Sequence, residues 1–151
     1  MLRKILLVTI SILIFPLLLF FLYFNNVKLA SPITANYYRS LQETLRSRGY
    51  SPNLLVICTK RHVWVNKLLV RLNGAASDSR HLNGEAIDFV VFDVNGDGRS
   101  NSNDVDIVYR ILDREIIADK GGIGTYKQKR GFFNKQMIHI DCRGSGKRWD
   151  H

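Results

Sequence analysis

The sequence predicts a small α+β domain, a short antiparallel or mixed sheet with flanking helices, preceded by one N-terminal transmembrane helix. Three observations predict it. Short apolar runs rich in β-branched residues recur at 54–59, 86–92 and 137–141, the signature of buried strands. Segments with apolar residues at helical spacing lie among them, at 36–48, 63–72 and 105–117. An uninterrupted apolar stretch, 5–24, precedes them all. A chain of 151 residues leaves room for one small domain and little else.

The N-terminal stretch sets the expected compartment. Arg3 and Lys4 precede an apolar run broken only mildly by Thr9, Ser11 and Pro16. The run matches the roughly 20 residues needed to cross a bilayer. Two positive charges on so short a leader place the N-terminus inside and the rest of the chain outside the cytoplasm, periplasmic or extracellular. A cleaved signal peptide is the rival, but its apolar core is usually about 7–15 residues, followed by a small-x-small site. Residues 25–30 offer a poor one. The domain division is therefore an anchor at 1–28, a linker at 29–35 containing Ser31 and Pro32, and a folded domain at 36–151.

The first helix of that domain, 36–48, carries Tyr37, Tyr38, Leu41 and Leu45 on one stripe and stops at Gly49. It is expected to pack on the sheet. Strand 54–59 leads past Arg61 into a helix whose stripe is Trp64, Leu68 and Leu72. Residues 73–76 form a loop that delivers the chain to Ser79, His81, Gly84 and Asp88. Gly84 provides a tight turn, and the strand that follows holds Asp88. A loop at 119–124, rich in glycine, lacks the strand–loop–helix context and the Lys-Ser/Thr ending of a phosphate loop. Close backbone approach near a cleft is its expected role. Met137–Asp141 is the closing strand, followed by a basic, glycine-containing tail with Trp149.

Residues 93–104 fit the twelve-residue calcium loop. Asp93, Asn95, Asp97, Asn101 and Asp104 put oxygen side chains at positions 1, 3, 5, 9 and 12; Gly98 takes the turn position and Arg99 offers a backbone carbonyl at position 7. The segment resembles the calcium loop of dockerin repeats, with 105–117 as its exiting helix. A strand precedes it in place of an entering helix, so it reads as a single structural Ca2+ loop grafted between strand and helix. An Asn/Asp/Gly-rich turn without metal is the alternative.

The formal charge of +9 suits nucleic acid, an anionic membrane surface or a polyanionic wall. No aromatic-basic RNA motif or recognition-helix pattern supports nucleic acid. Lys127, Lys129, Arg130, Lys135, Arg143, Lys147 and Arg148 concentrate near the C-terminus, as a solvated face or as a basic rim for anionic wall polymer. Cys58 and Cys142 are the two cysteines, able to form one disulfide outside the cytoplasm or to remain buried thiols.

His81, Asp88 and His139 make a three-ligand set of the kind that holds a catalytic zinc with a fourth position for water. On spacing alone, a structural histidine and a capping aspartate are the favoured explanation. Ser79, His81, Gly84, Ala86 and Asp88 match S-x-H-x-x-G-x-A-x-D, and His139, Ile140 and Asp141 form a second block, with Gly-Ile-Gly-Thr-Tyr before it and Arg148-Trp149 after. From Leu54 to Trp149 the chain thereby resembles the zinc D-Ala-D-Ala carboxypeptidase-like peptidases, related in fold to the hedgehog signalling domain. The resemblance implies that His81, Asp88 and His139 bind Zn2+ and that a peptidoglycan peptide is the substrate. It also implies that Arg61 binds substrate, although Cys58-Thr59-Lys60-Arg61 keeps only the arginine of the family's S-G-Y-R-like segment.

The general base is the point of departure. In relatives with an acid three residues before the last ligand, that acid is the base; here the position is Gln136. Residues two apart on a strand share a face. Asp141 therefore points to the side of His139 and is the candidate base, with orientation of a zinc-bound histidine as its rival role. Glu85, three from Asp88, points away if the strand already includes it. The expectation is a membrane-anchored zinc metallopeptidase, a hydrolase acting on cell-wall peptides as carboxypeptidase or endopeptidase. The alternative is a catalytically silent, zinc- and calcium-stabilised module binding cell wall or a partner.

Overall fold

The computed structural model describes residues 14–16, 18–19, 26–73, 75–127 and 136–150. The elements run α1 (Pro32–Ser47), β1 (Leu54–Cys58), α2 (Val63–Asn73), β2 (Ala86–Val91), α3 (Ser102–Ile111), β3 (Gly122–Tyr126), β4 (Met137–Asp141) and β5 (Lys147–Asp150). A single turn over Arg80–Asn83 precedes β2, and a wider helical turn, Leu112–Ile116, extends α3. Among the described residues the sheet has five strands in the order β1-β2-β4-β3-β5. Its pairs are antiparallel except β3 with β5, which is parallel. The α+β expectation with a mixed sheet and flanking helices holds.

Side-chain alternation divides the sheet into two faces. Ile87, Phe89 and Val91 of β2, Ile138 and Ile140 of β4 and Ile123 of β3 are buried together with Tyr38, Leu41 and Leu45 of α1 and Val105, Val108 and Ile111 of α3. Tyr38 meets Phe89 edge to face, with ring centroids 5.4 Å apart. Each large side chain sunk in this core contributes on the order of 1.5–3 kcal/mol. The opposite face carries the even-numbered residues of β2, Asp88 among them, and is where polar chemistry gathers.

Three boundaries differ from the sequence reading. Helix α1 begins at Pro32, with Ser31 as its N-cap accepting from Thr34 N–H, so much of the predicted linker is helix. Proline at the first helical position costs no hydrogen bond there. Ser31 N–H also donates to Gly84 O at 2.7 Å, which ties this segment to the turn before β2. The predicted loop at 119–124 instead enters strand β3, and the tail forms β5. Most of the predicted membrane run lies outside the described residues, as do Lys129, Arg130 and Lys135; among those described, no helix is long and apolar enough to cross a membrane.

Candidate metal centre

A single row crosses the polar face of the sheet. Cys58 pairs with Asp88, Asp88 with His139, His139 with Gly124, and Gly124 with Trp149. The register shift between Val56 and Cys58 brings the thiol level with Asp88, since one strand advances two residues while the other advances one. The site is thus a product of register: strands distant in sequence deliver one side chain each to the same level.

His81 approaches this row from the turn before β2. Gly84 closes that turn in the left-handed region, φ 71°, and Leu29 O would lie 2.6 Å from any Cβ placed there. The His81 ring is 2% exposed. Its Nδ1 lies 2.7 Å from Thr59 O; a carbonyl only accepts, so Nδ1 carries a proton, and in the neutral ring Nε2 is the nitrogen with the lone pair. Nε2 is 3.0 Å from Asp88 Oδ2, yet the angles make no hydrogen bond, and among the described residues this buried nitrogen has no hydrogen-bond partner. A buried polar atom left in that state calls for an explanation, and an ion is one.

His139 stands on the other side of Asp88, its Nδ1 2.6 Å from Oδ1, and its ring centroid is 5.2 Å from that of His81. Its Nε2 faces Asp141 Oδ2 at 3.3 Å. Asp141 lies on the His139 side, is fully buried and is heavily engaged. Its carboxylate accepts from Gly122 N–H and from Arg143 N–H and guanidinium. Burial would raise its carboxyl, but hydrogen bonds from His139 and Arg143 hold it well below the usual carboxylate range. The Arg143 guanidinium is raised in turn, chiefly by its hydrogen bond to Asp141.

Burial would push the His81 imidazole down, yet the Asp88 charge beside it, with Cys58 near, holds it up, so the ring gives up its Nε2 proton only where another cation takes that proton's place. Burial would likewise raise Asp88, but His81 and His139 keep it well below the carboxylate range. The carboxylate between two imidazoles demands positive charge, and protonated rings or a divalent cation meet that demand alike.

The glycines of β3 make the room. A Cβ on Gly124 would sit 2.3 Å from the Trp149 indole, and one on Gly122 would sit 2.5 Å from Asp141 Oδ2. Close backbone approach was the role expected of this glycine run; a strand provides it. Trp149 stacks obliquely on His139, centroids 5.3 Å apart, and its indole N–H donates to Tyr126 Oη at 3.4 Å.

Arg61 lies beside Asp88. Asn66, buried on α2 and donating to Ala76 O and Ser77 O, accepts from Arg61 Nη1 at 3.1 Å. Arg61 Nη2 lies 3.8 Å from Asp88 Oδ2. Gln136 stands at the mouth of β4, where its N–H donates to Tyr126 O and its carbonyl accepts from Val91 N–H.

Cys58, His81 and Asp88 form a group that could hold a metal ion, one donor atom from each lying within 4.8 Å of the others. Cys58 was missed as a candidate ligand, because only the bulge in β1 brings it to Asp88. Its Sγ is 3.5 Å from His81 Nδ1, the nitrogen already bonded to Thr59 O. Donors of a tetrahedral site with bonds of 2.0–2.1 Å stand roughly 3.3 Å apart. The His81–Asp88 separation of 3.0 Å is near that value; His139 Nδ1 lies 2.6 Å from the other Asp88 oxygen and is not part of that group, so the expected set of His81, Asp88 and His139 is brought together less closely than Cys58, His81 and Asp88. Cys58 and Cys142 are both free thiols, and Cys142 lies against Ser31 Oγ at 3.5 Å.

The predicted calcium loop is ordered by its own side chains. Asp93 accepts from Gly96, Asp97 and Gly98 N–H, Asn95 from Asp97 N–H, and Asp97 from Arg99 N–H. Asn101 caps α3 in a reciprocal pair with Asp104. Asp104 turns inward, fully buried, and accepts from Val94, Asn95 and Asn101 N–H. Asp93, Asn95 and Asp97 cluster at the open end of the loop.

No protein-family model matches the chain, and no curated protein matches it.

Proposed function

We propose that this chain is a membrane-anchored, extracytoplasmic zinc metallopeptidase that hydrolyses peptidoglycan peptides, as a D,D-carboxypeptidase or an endopeptidase. The observation that carries the reading is His81 Nε2, buried, without a hydrogen-bond partner among the described residues, and aimed at Asp88. His81, Asp88 and His139 are the residues to hold the ion, and the S-x-H-x-x-G-x-A-x-D spacing supports that assignment. Zinc supplies Lewis acidity toward a scissile carbonyl and a more acidic bound water. Thr59 O fixes the His81 tautomer. Arg61, braced by Asn66, presents a planar cation to a substrate carbonyl or terminal carboxylate. Asp141, bonded to His139 and locked to Arg143, is a poor proton acceptor and is better suited to orienting the imidazole.

That same engagement of Asp141, with glutamine at position 136, favours a second reading: a silent zinc module that binds cell wall or a partner. In either case calcium held by Asp93, Asn95, Asp97 and Arg99 O would brace the start of α3; Asp104, expected as the last ligand, is instead turned inward onto backbone N–H groups. Metal analysis of the purified protein tests the ligand assignment. About one zinc per chain is expected. His81→Ala and His139→Ala should lose most of it and Cys58→Ala should keep it. Retention in His139→Ala with loss in Cys58→Ala would move the third ligand to Cys58.

A further inference from the structure

Helix α2 has two dissimilar sides. Inward, Asn66 is buried and holds Arg61. Outward, Trp64 is 55%, Leu68 47% and Leu72 68% exposed, one stripe at four-residue spacing. Beside it runs a second exposed stripe: Val63 at 54%, then Lys67 and Arg71. The helix contains no acidic residue. A stripe of Trp and Leu flanked by Lys and Arg is the composition of a helix that lies in the interface of a bilayer, indole and aliphatic groups at headgroup depth and cations toward lipid phosphates.

The path of the chain supplies a second, independent argument. The apolar run 5–24 ends just before Asn26, and Asn26 O accepts from Thr59 Oγ1 at 3.1 Å. The chain therefore arrives from its most apolar segment only four residues in sequence from Val63, the first residue of α2. A membrane entered by that segment would lie against this end of the domain.

We infer that the Trp64–Leu68–Leu72 face of α2 docks onto the surface of an anionic lipid bilayer. The inference rests on the membrane-anchored reading and adds an orientation to it. With a helix about 10–12 Å across between lipid and Arg61, the candidate metal centre would work close to the membrane surface, on substrate held there.

The test uses the full chain reconstituted into phosphatidylcholine–phosphatidylglycerol vesicles, floated after alkaline carbonate washing. The chain has two tryptophans, and Trp149 lies on the strand at the far edge of the sheet from β1. In Trp149→Phe, lipids brominated at shallow acyl positions should strongly reduce Trp64 emission relative to unbrominated lipids. Leu68→Glu with Leu72→Glu should cancel that loss. Should Trp149→Phe fold poorly, the difference between wild type and Trp64→Phe gives the same reading. Unchanged emission from a chain that floats would overturn the docking and leave the anchor standing, and crosslinking between copies through this face would assign it to a second copy. A chain that does not float with the vesicles would overturn both.

Discussion

Asp141 sits where alternation along a strand puts it, on the His139 side of the sheet, and that much is legible in three consecutive residues. Its partners are not, because they come from elsewhere: Gly122 N–H from β3 and the Arg143 guanidinium folded back over the carboxylate. Those contacts lower the carboxyl and favour, in the function we propose, the orienting role over that of the base. Asp141→Asn should therefore weaken zinc affinity by roughly 10–100-fold and let activity recover in excess zinc, as loss of an orienting group does. Normal zinc content with turnover cut by about 10²–10⁴-fold would instead make Asp141 the base. Zinc titration with a competing chelator, run beside turnover, separates the two. Cys58 was illegible for a related reason: its level with Asp88 depends on one extra residue in β1, which no local pattern announces.

Helix α1 and strands β1, β2 and β4 were readable because apolar periodicity marked them, and their register then put Asp88 beside His139. Strand β3 was not. Gly122, Ile123 and Gly124 read as a loop because glycine disfavours strands. Here the glycines pair with β4 and β5 because only hydrogen fits beneath Asp141 and Trp149. Gly124→Ala should accordingly cost about 1–3 kcal/mol, the range for overpacking a filled site, and lower the melting temperature. An unchanged melting temperature would mean that Trp149 swings away at little cost. The loop between β2 and α3 makes its own forecast. Calcium should raise the melting temperature, with affinity of roughly 10⁻⁴–10⁻³ M as in extracellular modules. Asp93→Ala should abolish that shift while leaving the buried Asp104 contacts in place. A shift that survives the substitution would reduce the loop to a turn.

At the scale of the molecule the sheet separates two tasks. One face, pressed against α1 and α3, holds the fold together; the other lines up Cys58, Asp88, His139 and Trp149 with His81 brought over from the preceding turn. The motif singled out His81, Asp88 and His139 as candidates before any fold was known, whereas the exposed outer face of α2 was not legible, because a helical stripe of Trp and Leu looks the same whether it meets a core or a membrane. The central claim is that the buried His81 nitrogen, Asp88 and His139 hold a zinc that hydrolyses peptide. The most direct measurement is muropeptide cleavage by the purified chain before chelation, after chelation and after zinc is returned, with metal content read on the same samples. The account predicts activity that disappears with the zinc, returns with about one equivalent, and is missing throughout from His81→Ala. A wild-type chain that takes up no zinc, or one that cleaves equally well without it, would contradict the account.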